Sequence, residues 1–129
     1  LVADVLAAEG LGDRPVEVHV HFVDESAMED LNREHMGGEG PTDVLAFPVD
    51  DPATVPDGIP VLLGDVVVCP VVAANQAAAH AGDFTSEVSL LLVHGVLHLL
   101  GHDHGEPEEA EAMRARERDH LARYGMVRP

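Results

Sequence analysis

Residues 16–23, VEVHVHFV, alternate apolar and polar positions. A period of two predicts a strand with one buried face, and it puts His19 and His21 on the polar face. The period then changes. Ser26 and Glu29 form a capping-box pattern that opens a helix through Met36. Gly37, Gly38, Gly40 and Pro41 break that helix. Thr42 to Val49 reads as a second strand, with Pro48 marking an edge or a strand end. A turn-rich loop, DDPATVPDGIP, leads to a third strand, VLLGDVVV, over residues 61–68. Pro70 suits the first position of a helix that runs to about Ala81 and stops at Gly82. Thr85 or Ser86 caps the next helix, which reaches Leu100. Its stretch VSLLLVHGVLHLL is apolar nearly all round, which predicts a buried central helix. Pro107 opens a last helix, acidic first and arginine-rich later, as the helix dipole favours, and Gly125 closes it. With an opening helix over LVADVLAAEG, the order predicts a single α+β domain over residues 1–129.

The size and a 46% apolar content are enough for one core, built from Leu, Val and Ala because Trp is absent. Charge narrows the functional reading. Twenty-four acidic residues against seven basic ones give −17, and every basic residue is Arg. Such a surface repels nucleic acid at long range, so an RNA-directed role needs a local positive site. Five of the arginines, Arg114, Arg116, Arg118, Arg123 and Arg128, fall in the last sixteen residues. No apolar run approaches the ~18 residues of a membrane span, and no basic-then-apolar leader opens the chain. The single Cys69 fits a reducing cytoplasm. The chain starts at Leu1 inside a predicted helix, so further residues are expected before it.

The candidate chemistry lies in HGVLHLLGHDH. His94 and His98 are one helical turn apart and project from the same face. Gly101 is placed to end the helix, so the chain can turn back and bring a third imidazole, His104, to the first two. Three neutral imidazoles with an open fourth position are the layout of a catalytic zinc site, and nickel or iron would also accept them. The undiminished dipositive charge would bring the pKa of a bound water toward ~7 and polarise a phosphoryl oxygen. His102, also four residues after His98, competes as third ligand; after the Gly101 break it is read as pocket lining. Asp103 reads as a turn or supporting carboxylate. Asp65, in an apolar strand, needs a partner, such as a histidine nitrogen near the site. Cys69 reads as a small buried apolar residue, and His19, His21, His80 and His120 as solvated or structural histidines. No residue is assigned as general acid or base.

The spacing His-x-x-x-His-x-x-Gly-x-x-His resembles that of the metzincin peptidases. Those enzymes carry a Glu directly after the first His, and this chain has Gly95 there. Peptide hydrolysis is therefore the second reading.

Three blocks in order carry a fuller resemblance. HGVLHLLGHDH, GPTDVLAFP (Gly40 to Pro48) and LLGDVVVC (Leu62 to Cys69) are similar to the signatures of the bacterial YbeY family, and the likeness extends over about residues 16–125. It implies a single-strand-directed, metal-dependent endoribonuclease acting in small-subunit ribosomal RNA 3′ end maturation and ribosome quality control. It also implies one zinc on His94, His98 and His104, with ribosomal RNA, the small ribosomal subunit, ribosomal protein and ribosome-assembly factors as partners. The implied fold is a mixed, mostly parallel sheet of about four strands, packed by helices in a zincin-like arrangement. Three positions depart from the family pattern. His102 replaces a Tyr and Ala46 a Ser. Met36 stands where many members carry an Arg; Arg33, one turn earlier, is the only nearby substitute. A metal-binding assembly factor without catalysis is the third reading.

Overall fold

The computed structural model describes residues 1–77, 83–102 and 105–126. Helix α1 (Val2–Leu6) continues into a wider π-helical stretch, Ala7–Leu11. Strand β1 (Val16–Phe22), helix α2 (Glu25–Met36), strands β2 (Val44–Pro48) and β3 (Val61–Val68), and helices α3 (Pro70–Ala77), α4 (Phe84–Leu99) and α5 (Pro107–Ala122) follow. The expected continuation of α3 to Ala81, its stop at Gly82, and His80 lie outside the described residues.

Among the described residues the sheet has three strands in the order β1-β3-β2, where about four were implied. β1 runs parallel to β3, whereas β2 runs antiparallel to it, so the sheet is mixed rather than mostly parallel. The antiparallel pair arises because the loop after β2 folds straight back. Asp50 accepts the Leu62 N–H at 2.9 Å, and Arg14 clamps the loop through the Pro52 and Val55 carbonyls at 2.7 and 3.0 Å. β2 lies at the sheet edge, as Pro48 predicts. Gly64 sits at an irregularity in the β1–β3 register with φ 152°; a side chain there would overlap the Phe47 carbonyl oxygen.

Alternation divides the sheet into two faces. Val66 and Val68, with Val44 and Ala46, pack against α4 in the main core. Leu45, Val67 and Cys69 face the other way and pack with Met28 of α2 in a smaller cluster. Cys69 is fully buried, in keeping with its apolar reading.

Two helix starts differ from the expected ones. Asp24 caps α2 by accepting the Ala27 N–H at 2.8 Å, which leaves Ser26 and Glu29 inside the helix. Asp83 caps α4 by accepting the Ser86 N–H at 2.9 Å, which leaves Thr85 and Ser86 in the first turn. In both, a carboxylate two or three residues upstream outcompetes the hydroxyl for the free N–H groups. The expected helix end is present, with Gly101 at φ 97°. His120 is not solvated: it is 4% exposed, with Nε2 3.1 Å from Glu9 Oε1. No helix among the described residues is long and apolar enough to cross a membrane.

Candidate metal site on the central helix

α4 is the buried central helix; Leu90, Leu91, Val93, Val96 and Leu97 are all 5% exposed or less. It approaches the sheet closely because of Gly95. A Cβ on Gly95 would lie 2.6 Å from Val66 Cγ1 and 3.5 Å from Val44 Cγ2. The residue beside His94 therefore points into the sheet, and no Glu fits there. The peptidase reading is not favoured.

His94 and His98 project from α4 over β2. Their Nε2 atoms converge to 3.1 Å and their rings meet edge to face at 4.6 Å. Both line a groove of about 480 Å³ with Met36, Thr42, Asp43 and Pro48. His94 Nδ1 lies 3.5 Å from Glu117 Oε1 on α5, a carboxylate with only 2% of its side chain exposed. This donor set fits a zinc-type ion. Tetrahedral imidazole nitrogens on zinc stand roughly 3.3 Å apart, and the ring nitrogen away from the ion normally donates to a carboxylate or carbonyl.

The sequence did not point to Glu117. Met113 and Leu121 mark the buried stripe of α5, and Glu117 lies midway on it, which is the one signal that could have found it. A second network was also missed. Gln76 Nε2 donates to Asp43 Oδ2 at 3.0 Å and to the fully buried Glu87 Oε1 at 2.8 Å. Asp43 Oδ1 accepts the Val44 N–H at 2.7 Å. Asp43 thus fixes the loop into β2, and it also forms part of the groove wall.

Other expected neighbours lie elsewhere. His102 lines a separate hollow with Glu9, Leu11 and Asp51, because the chain turns away at Gly101. Arg33 does not reach the groove: it pairs with Asp30 one turn back at 2.7 Å, and Met36 occupies the wall instead. Asp65 does hold a histidine nitrogen, but it is His21 Nε2 at 2.9 Å, on the sheet face opposite α4. His104 and Asp103 lie outside the described residues. Of the clustered arginines, Arg128 lies outside the described residues and the other four have partners. Arg116 pairs with Glu9 at 2.8 Å and Arg123 meets His120. Hydrogen bonds from Arg114, then Arg118, hold the Glu111 carboxyl below its ordinary value.

These features define a class: a small α+β domain whose central helix presents paired imidazoles to a groove along a sheet edge. The family model described as endoribonuclease YbeY matches residues 1–125, and the chain belongs to that family. An endoribonuclease YbeY of Salinispora tropica is 48% identical over 121 residues, covering 87% of this chain and 76% of the relative. That of Geobacillus kaustophilus is 41% identical over 133 residues, covering 99% and 85%. The solution structure of TM1509 from Thermotoga maritima superposes with a TM-score of 0.60 at 28% identity, covering 95% of this chain and 78% of that one.

Proposed function

We propose that this chain is a metal-dependent endoribonuclease that cleaves single-stranded RNA in maturation of the small-subunit ribosomal RNA 3′ end. In this reading it works in the cytoplasm with the small ribosomal subunit, ribosomal protein and assembly factors. His94, His98 and His104 hold one divalent ion in a zincin-like arrangement, with zinc the first choice and nickel or iron acceptable. The observation that carries this reading is the 3.1 Å convergence of His94 and His98 Nε2 beside a groove, in a chain of this family.

When bound, such an ion supplies Lewis-acid charge to a phosphodiester and acidifies water. The chain's own residues do the rest. Glu117, with Oε1 3.5 Å from His94 Nδ1, favours a proton on that nitrogen and so leaves the Nε2 lone pair for the groove. Thr42 and Asp43 form the wall beside the imidazoles, and the hydrogen bonds to Val44 and Gln76 fix Asp43 in place. No arginine lines this groove among the described residues, so RNA affinity depends on the ion's charge.

The test is cleavage of single-stranded RNA, structured RNA and an unfolded protein side by side, with and without chelator. Chelator-sensitive cuts in single-stranded RNA alone are expected. Absence of cleavage, with RNA still bound, would favour the assembly factor. His98→Ala is expected to lose one equivalent of bound metal; an unchanged metal content would refute the site.

A further inference from the structure

We propose that His19 Nδ1, His21 Nε2 and Asp65 Oδ1 form a second site for a divalent transition-metal ion, on the sheet face opposite α4, with Glu17 orienting His19.

The placement follows from strand geometry. His19 and His21 are two residues apart on β1 and share a face. Parallel pairing sets His19 opposite Asp65 of β3. Val66, the next residue, turns toward Gly95 of α4, so Asp65 points away from the first site. Three side chains of ligand type thus stand together, their ligand atoms all within 4.8 Å of one another.

The hydrogen bonds set the tautomers. His19 Nε2 lies 3.3 Å from Glu17 Oε2, which places the proton of a neutral ring on that nitrogen. The lone pair of Nδ1 then faces Asp65 Oδ1 at 3.9 Å. Two lone-pair atoms facing each other share a cation rather than a hydrogen bond. His21 Nε2 is hydrogen-bonded to the same oxygen at 2.9 Å in the metal-free chain; an ion between the two takes the place of that proton, which moves to Nδ1, and the pair opens slightly to the separation of two ligands on one ion. All three side chains are partly exposed, at 52%, 49% and 35%, so small rotations bring His19 to the same distance. Two imidazoles with one carboxylate suit zinc, nickel or iron and disfavour magnesium and calcium, which take oxygen ligands. His21 and Asp65 also line a hollow of about 340 Å³ beside Leu31 and Phe47, which leaves room for water on the remaining positions. An ion held here ties the edge strand β1 to the central strand β3.

The experiment titrates Zn²⁺ and Co²⁺ into the metal-free chain, reading stoichiometry, cobalt absorption and thermal melting. A His94→Ala/His98→Ala variant isolates the second site. It is expected to bind one ion, with visible cobalt bands and a raised melting temperature that Mg²⁺ does not reproduce. Adding His19→Gln/His21→Gln is expected to abolish all three signals, Asp65→Asn to do the same, and Glu17→Gln to weaken affinity about tenfold. Circular dichroism confirms folding of each variant. The proposal is overturned if the His94→Ala/His98→Ala variant binds no ion, or binds one that the changes at His19, His21 and Asp65 leave untouched. The first site is judged separately, by the equivalent that the wild-type chain loses on the His94→Ala/His98→Ala change.

Discussion

Glu117 Oε1 lies 3.5 Å from Nδ1 of His94, joining α5 to the site on α4. A carboxylate in this position sets which ring nitrogen faces the groove and raises its basicity. Glu117→Gln keeps the shape but weakens the acceptor. Zinc affinity of the first site is expected to fall about 10–100-fold, measured by competition with a chromophoric chelator. Unchanged affinity would remove Glu117 from this role.

Gly95 carries the close approach of α4 to the sheet. An added methyl at 2.6 Å from Val66 Cγ1 forces the helix outward or Val66 off its rotamer. Gly95→Ala is expected to cost about 1–3 kcal/mol in urea unfolding, and Gly95→Glu more, without creating peptidase activity. An Ala variant as stable as the wild type would show that the helix has room to spare.

Met36 occupies the groove wall and is 54% exposed. Met36→Arg places a cation beside the imidazoles. Single-stranded RNA is expected to bind more tightly at low salt, with the salt slope of log K steeper by about 0.7, the increment for one added phosphate contact. An unchanged slope would mean that RNA does not pass this wall.

Asp83 caps α4, and its carboxyl is held below its ordinary value by the backbone hydrogen bond from Ser86, then by the Ser86 hydroxyl. A depressed folded value stabilises the chain fully above the unfolded value near ~3.9 and loses that contribution as pH falls through the folded one. Asp83→Asn keeps an acceptor without the charge. Its melting temperature is expected to fall less than that of the wild type over this acid range, followed by circular dichroism. Parallel curves would exclude the linkage.

Much of the fold was legible because its signals are local. The alternation of VEVHVHFV, the apolar run before His94 and the stop at Gly101 each appear where the sequence places them. The helix starts were misread because Ser26 and Thr85 or Ser86 are good caps in isolation. The choice of Asp24 and Asp83 depends on which carboxylate the backbone presents to the first free N–H groups.

By itself the sequence determined the pairing of His94 with His98, since a turn of helix fixes their common face, and it determined the family through three ordered blocks. Only the tertiary structure decided what surrounds them. Glu117 reaches His94 from another helix, Gly95 is closed off by Val66 of the sheet, and Arg33 turns away to Asp30. Asp65 faces His21 on the far side because successive strand residues alternate faces, a relation that needs both strands paired in register before it exists.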